Sequence, residues 1–135
     1  MNELNGSDSG ILVRVCDIVK QYISGAETLH VLKGLSFEIK RGISAAISGQ
    51  SGSGKSTLLN ILGGLEKADG GQVTVGDAVI TGLPEKSLSL YRSRRVGFIF
   101  QFHYLLKDFT ALENVMLPAY IAGKKKKEAD RKSVV

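Results

Sequence analysis

The sequence predicts one α/β domain in which antiparallel strands come first and part of a parallel sheet follows. The segment "LSFEIK" alternates apolar and polar residues, which is typical of a half-buried strand. The uninterrupted apolar runs "ISAAIS" and "VGFIF" are typical of strands that are buried on both faces. Helical patterns separate these runs, and strands that alternate with helices favour a parallel arrangement.

Composition limits the class of protein. The chain has 135 residues, of which 43% are apolar and 23% charged, and this balance suits one globular domain. No apolar run approaches the roughly 18 residues that span a bilayer. Residues 1–10 are polar, without the features of a signal peptide, and we expect a flexible leader there. The single cysteine, Cys16, excludes an internal disulfide and suits a small strand residue in a reducing compartment.

The net charge of +5 does not predict a nucleic-acid partner, because it is concentrated at one end. The last twelve residues contain six basic and two acidic side chains, which leaves the other 123 residues with a net charge of only +1. A lysine-rich end of this kind is most often a solvated helix or tail. We therefore expect no nucleic-acid binding.

The first half of the chain reads as three strands. The first runs from Ile11 to Tyr22, with Val13 and Val15 on one face, and a turn follows at Ser24–Gly25. "LSFEIK" forms the second strand, and Arg41–Gly42 turns the chain into the buried run "ISAAIS".

The second half alternates helices with short strands. "KSTLLNILGGL" has leucines at helical spacing, and "QVTVGDAVI" reads as a hairpin that turns at Gly76–Asp77. "PEKSLSLYRSRR" predicts a short helix, and "VGFIFQ" predicts another buried strand. Thr110 and Glu113 have capping-box spacing, so a last helix should begin near Thr110, and Pro118 should kink or end it.

The stretch "GQSGSGKSTLLN" predicts a phosphate-binding loop. Gly49, Gly54, Lys55 and Ser56 fit the P-loop pattern G-x-x-x-x-G-K-[ST] completely. Glycines let several backbone N–H groups point at a phosphate, and the following helix adds its positive N-terminal end. Lys55 can reach the β- and γ-phosphates, and the Ser56 hydroxyl can bind Mg²⁺. The predicted nucleotide contacts are Gly49, Gln50, Ser51, Gly52, Ser53, Gly54, Lys55, Ser56 and Thr57.

This loop and the later stretch "RRVGFIFQFHYLLKDFTALENV" together resemble the ATP-binding subunits of ABC transporters. The resemblance implies that ATP and Mg²⁺ are the cofactors. It implies that Gln101 lies in the Q-loop, where it contacts Mg²⁺ and the attacking water and senses the transmembrane partner. It also implies that Tyr22 stacks on adenine. Lys55 and Gln101 are then the catalytic candidates, and Ser56 and Gln101 are the candidate magnesium ligands.

Within that family, "QFHYLL" and "DFTALENV" are similar to the lipoprotein-releasing (LolD-like) group, and the similarity runs from about Val13 to Arg131. It implies a peripheral subunit on the cytoplasmic face of the inner membrane, which dimerises as a full-length subunit and docks on permease subunits. Macrolide-export and cell-division ATPases share a looser version of these phrases and stay alternatives. We interpret His103 as a partner-facing or structural residue and His30 as a strand residue.

The sequence lacks several features that the family has after this point. We find no LSGGQ-type signature, no Walker B strand ending in Asp-Glu, and no switch histidine. Residues 11–135 therefore read as the N-terminal part of an ABC ATP-binding domain. In the family's topology the strand before the P-loop and the strand ending at Gln101 are not adjacent, so we expect exposed apolar sheet edges. Without the Walker B aspartate and the following glutamate, we expect negligible ATP hydrolysis by this chain alone.

Two other functions fit parts of the sequence. A nucleotide-binding module without catalysis needs only the residues that are present. A P-loop kinase for a small molecule would need an arginine-rich lid, and Arg92, Arg94 and Arg95 are the available cluster. We interpret these arginines as a solvated helix end.

Overall fold

The computed structural model describes residues 10–102 and 104–124. Within them, four strands form one sheet in the order β2-β1-β3-β4, with every pair antiparallel. The strands are β1 (Ile11–Ser24), β2 (Glu27–Lys40), β3 (Gly70–Val75) and β4 (Ala78–Val79). The helices are α1 (Lys55–Leu62), α2 (Glu85–Arg95) and α3 (Ala111–Ile121). The predicted leader up to residue 9, His103 and the lysine run from residue 125 onward lie outside the described residues.

The chain divides into two compact units, Met1–Leu88 and Ser89–Val135. The first unit contains the sheet, α1 and a buried apolar core. That core consists of Val15, Ile18, Leu32, Leu58, Ile61, Val73, Ile80 and Leu88. In the second unit Met116 is the buried apolar side chain among the described residues.

β1 and β2 form a long hairpin that turns after Ser24, as the sequence predicts. Arg14 and Glu38 lie opposite each other, and the Arg14 Nε is 2.8 Å from the Glu38 Oε1. The pairing shifts register between Val15 and Ile18. Asp17 lies at this bulge with a positive φ of 50°, and its N–H donates to the Ser36 hydroxyl at 2.8 Å.

The second hairpin follows the predicted pattern. Val73 is buried and Val75 is half-buried, and the chain turns at Gly76–Asp77 into β4. The side chains of α1 divide by face, with Leu58 and Ile61 buried and Leu59 exposed.

Two predicted strands do not form. Residues 43–50 and 96–100 have no hydrogen-bonded strand partner among the described residues, and Ile43, Ile47, Ile99 and Phe100 are exposed. A strand forms only where a neighbouring strand pairs with its N–H and C=O groups. The four strands of the described sheet pair with one another and with neither of these runs. The described sheet is consequently antiparallel throughout, and the predicted parallel pairing is absent from this part of the chain. The two runs are largely exposed, but they lie outside the described sheet, so the expectation of uncovered sheet edges stays a prediction.

Both later helices form as predicted. Pro84 precedes α2, and its carbonyl accepts from the Ser87 N–H at 2.9 Å. Arg94 and Arg95 are exposed and Arg92 is half-buried in the last turn, which fits a solvated helix end for the first two. Pro118 lies within α3, which continues for three residues to Ile121, so the helix does not end at the proline. Among the described residues, no helix has the length and apolar character needed to cross a bilayer.

Candidate functional site

The predicted phosphate loop connects residues 43–50, which belong to no helix or strand, to the first turn of α1. Gly52 and Gly54 have φ angles of 78° and 90°, in the left-handed region that favours glycine. The Ser53 N–H donates to the Gln50 carbonyl at 3.3 Å and closes a turn. α1 begins with the bond from the Leu58 N–H to the Gly54 carbonyl at 2.9 Å. The sequence Gly-Ser-Gly-Lys therefore turns the chain sharply into a helix N-terminus.

Two glycines of the loop lie where a side chain would collide. A Cβ on Gly49 would lie 2.9 Å from the Ser53 Oγ. A Cβ on Gly54 would lie 2.7 Å from a methyl carbon of Val31 and 3.2 Å from the Val31 carbonyl oxygen. The start of α1 thus packs directly on β2, and this close approach fixes the loop relative to the sheet.

The Lys55 side chain folds back over the beginning of the loop. Its ammonium donates to the carbonyls of Gly49 at 2.9 Å and Gln50 at 2.5 Å, and it is 3.4 Å from the Ser53 Oγ. No acidic residue lies in the first turn of α1, which is described throughout. The lysine charge and the positive end of the helix therefore act together on the same stretch of backbone.

The hydroxyl side chains of the loop differ in exposure. Ser51, Ser53 and Ser56 are exposed, and Thr57 is half-buried at the side of α1. Ser56 is the second residue of the helix, where its Oγ is available to a ligand. Among the described residues no group of three or more His, Cys, Asp or Glu side chains could hold a metal ion.

Tyr22 lies beside the loop helix. Its Oη is 3.4 Å from the Oγ1 of Thr57, so the fold brings these two predicted nucleotide contacts together. The same hydroxyl donates a short hydrogen bond to the Glu66 carboxylate. The Lys20 ammonium is 5.2 Å from the centroid of the tyrosine ring. Tyr22 keeps 37% of its surface exposed.

Sequence reasoning missed the residues around Tyr22. Lys20 Nζ donates to the Lys67 carbonyl at 2.9 Å and lies 3.5 Å from carboxylate oxygens of both Glu66 and Asp69. The Gln21 N–H donates to the Asp69 carboxylate at 2.8 Å, and this bond, with the nearby Lys20, holds the pKa of Asp69 below its ordinary value although desolvation opposes them. Residues 66–69, which follow α1, therefore hold the C-terminal part of β1 through hydrogen bonds and ion pairs. The sequence signal was faint, because Glu66 and Asp69 belong to no periodic pattern.

Gln101 belongs to the second unit, whereas the phosphate loop belongs to the first. It is exposed and follows an aromatic stretch rather than a paired strand. The rings of Phe98 and Phe100 stack at 5.4 Å, and Phe100 meets Tyr104 edge to face at 5.2 Å. The magnesium and water contacts that the resemblance implies for Gln101 stay predictions.

Comparisons with known proteins agree with this geometry. The model of the ABC transporter family matches residues 32–134. The lipoprotein-releasing system ATP-binding protein LolD of Treponema denticola is 54% identical over 123 residues, which cover 91% of this chain and 54% of that protein. LolD of Bacteroides thetaiotaomicron is 50% identical over 107 residues, which cover 79% of this chain and 49% of that protein. The chain thus spans about half the length of these curated relatives.

A solved structure shares the fold. It is a dimeric ATP-binding cassette in a post-hydrolysis state, bound to ADP and Pi. It is 35% identical with a TM-score of 0.85, and the match covers 91% of this chain and 54% of that one. The predicted fold class and the predicted resemblance are both confirmed, and the chain belongs to the ABC transporter family.

Proposed function

We propose that this chain is the nucleotide-binding part of an ABC ATPase subunit that energises lipoprotein release from a membrane. The conformation of the phosphate loop carries the proposal: the left-handed Gly52 and Gly54 lead into α1, Lys55 is the first residue of that helix, and its first turn contains no acidic side chain. The names of the relatives, which are lipoprotein-releasing system ATP-binding proteins, support the transport role.

The residues present suit MgATP. A Cβ at Gly49 or Gly54 would collide with Ser53 or Val31, so glycine at both positions is what lets the backbone of residues 49–54 take a course that can wrap a phosphate. Lys55 would exchange its carbonyl partners for phosphate oxygens, Ser56 would hold Mg²⁺, and Tyr22 would stack on adenine. Mg²⁺, when bound, would neutralise phosphate charge. Gln101 would contact the metal and the attacking water.

The proposed assembly and cellular location are inferred from the relatives. The solved cassette that shares the fold is a dimer bound to ADP and Pi, and the curated relatives are ATP-binding proteins of a lipoprotein-releasing system. We propose that the full subunit dimerises, docks on permease subunits and works at the cytoplasmic face of the inner membrane.

A nucleotide-binding module without catalysis is the second candidate. It is favoured by a sequence observation, the lack of a Walker B Asp-Glu pair in these 135 residues. ATP turnover by the purified chain that disappears on Lys55→Ala would exclude it.

Calorimetric titration with MgATP tests nucleotide binding. We expect Lys55→Ala to weaken binding roughly tenfold or more, because it removes the positive side chain that would bind the phosphates. Lys33→Ala, which removes an exposed lysine of β2, is the matched control and should bind like the parent. Equal binding by the Lys55→Ala chain would contradict the proposal.

A chimera tests the transport role. The matching segment of Treponema denticola LolD is replaced by this chain, and release of lipoproteins from membranes is measured with ATP. We expect release by the chimera and none after Lys55→Ala. A folded, ATP-binding chimera that releases nothing would argue against this role.

A further inference from the structure

Glu66 and Lys20 hold the ring of Tyr22 at the side of the phosphate loop. We propose that these two residues position Tyr22 for the nucleotide base and thereby set how much the base contributes to binding. The inference rests on the proposed function, since it takes Tyr22 as the residue that stacks on adenine.

The tyrosine hydroxyl is fixed by the segment after α1. It donates to the Glu66 carboxylate and lies 3.4 Å from the Oγ1 of Thr57. The Glu66 side chain is only 24% exposed, so this bond to a charged acceptor is partly shielded from water. The far end of the ring is thereby tied to α1, the helix that carries Lys55 and Ser56.

Lys20 contacts both the ring of Tyr22 and Glu66, the residue that accepts the hydrogen bond from the tyrosine hydroxyl. Its side chain is only 12% exposed, and its ammonium lies 3.5 Å from the Glu66 Oε1 and over the ring of Tyr22. The bond to the Lys67 carbonyl holds the ammonium in place. A cation over one face of an aromatic ring is attractive, and 37% of the tyrosine surface stays exposed, where a base can stack.

Fixing the ring in advance matters because stacking is a weak interaction. A free tyrosine side chain loses rotamer freedom when a base binds, and this loss reduces the net gain from stacking. In this structure the hydroxyl and one ring face are held by residues of the chain itself. Glu66 should therefore affect the part of affinity that comes from the base and leave the part that comes from the phosphates unchanged.

The test compares ATP with inorganic tripolyphosphate, each titrated with Mg²⁺ into the 135-residue chain. Tyr22→Ala establishes the base contribution: it should weaken ATP binding and leave tripolyphosphate unchanged. We expect Glu66→Ala and Tyr22→Phe each to weaken ATP binding roughly two- to tenfold, because each removes the same hydrogen bond. The double variant should bind no more weakly than either single one. Glu66→Gln, which keeps an acceptor, should recover part of the affinity.

Glu38→Ala is the matched control, because it removes an exposed acid that has its own ion pair with Arg14. It should bind both ligands like the parent. Equal weakening of ATP and tripolyphosphate by Glu66→Ala, or additive losses in the double variant, would overturn the positioning role while leaving ATP binding intact. A parent chain that binds ATP and tripolyphosphate equally, and is indifferent to Tyr22→Ala, would instead refute the stacking role and with it this inference.

Discussion

At Gly71 the backbone of β3 passes so close to β1 that no side chain fits. A Cβ there would lie 2.3 Å from the carbonyl oxygen of Asp17, the residue that bulges out of β1. Its φ of 83° is also left-handed. The bulge and the glycine therefore depend on each other, and together they fix the register of β1 on β3.

Gly71→Ala should destabilise the chain more than Gly34→Ala. Gly34 has the same φ of 83° but open space around its Cβ position, so it carries the backbone penalty alone. We expect about 1–2 kcal/mol for that penalty, and about 1–3 kcal/mol more at Gly71 from the collision. Urea unfolding of both variants measures the difference. Equal losses of unfolding free energy in the two variants would show that β1 can move away from the extra carbon at no energetic cost.

The contact of Asp69 with β1 makes the stability of the fold depend on pH. Its lowered pKa means that the folded state favours the ionised carboxylate, chiefly through the bond from the Gln21 N–H. This stabilisation is fully present above the ordinary pKa of 3.8 and is lost as the pH falls through the lower folded value. Asp69→Asn keeps an acceptor for Gln21 but cannot ionise.

We therefore expect wild type to exceed Asp69→Asn in thermal midpoint near neutral pH, and the gap to shrink as the pH falls below about 4. Thermal unfolding across this pH range measures the gap. A gap that is constant with pH would mean that the charge of Asp69 contributes nothing to folding.

The sequence is most informative about residues whose chemistry is local. Gly49, Gly54, Lys55 and Ser56 are recognisable because a phosphate loop needs those residue types within a few positions. Lys20 meets the carbonyl of Lys67 across 47 residues, a contact that depends on how β1 and the end of α1 approach each other. No spacing rule encodes such an approach.

At the scale of elements, local caps predict helices better than apolar runs predict strands. The Thr110 Oγ1 accepts from the Glu113 N–H at 3.3 Å, and the Glu113 carboxylate accepts from the Thr110 N–H at 2.8 Å. These bonds satisfy orphan donors at the start of α3 without help from elsewhere in the chain. Asn114 adds a second local tie, because its amide accepts from the Leu106 N–H at 2.9 Å. The helix was therefore predictable to within one residue at its start.

Thr110→Ala should weaken the start of α3. We expect a loss of about 0.5–2 kcal/mol, because the Glu113 N–H loses its side-chain acceptor. Hydrogen exchange of the amides in the first turn of α3 reports the loss locally. Thr110→Ser keeps the hydroxyl and should exchange like the parent. Faster exchange in the serine variant too would mean that the threonine methyl, rather than the cap, stabilises this turn.

The apolar runs show where sequence prediction of elements fails. "ISAAIS" and "VGFIF" have the composition of buried strands, yet residues 43–50 and 96–100 pair with no strand among the described residues and are exposed apart from the half-buried Val96 and Phe98. The apolar composition of a run indicates only that, as a strand, it would need neighbours on both edges and both faces. Whether those neighbours exist is a property of the whole sheet, so the runs alone could not decide it.

At the scale of the whole molecule, the exposed apolar surface is the feature with the largest physical effect. The chain covers 54% of the solved cassette that shares its fold, so that cassette has about as much chain again. In the second unit Ile99 is fully exposed, and Phe100, Phe102 and Leu105 are each at least half exposed. An exposed, apolar segment without a strand partner favours association with another chain.

Ile99→Lys should reduce self-association of this chain. The lysine places a charge in the middle of the exposed segment, where it opposes strand pairing and lowers apolar exposure, and it removes no buried contact because Ile99 has none to lose. Sedimentation velocity over a range of protein concentrations measures the effect, and the thermal midpoint should stay unchanged. Ser89→Lys adds the same charge at an exposed position of α2 and controls for net charge. If both variants reduce association equally, or if neither does, the exposed segment around Ile99 does not drive it.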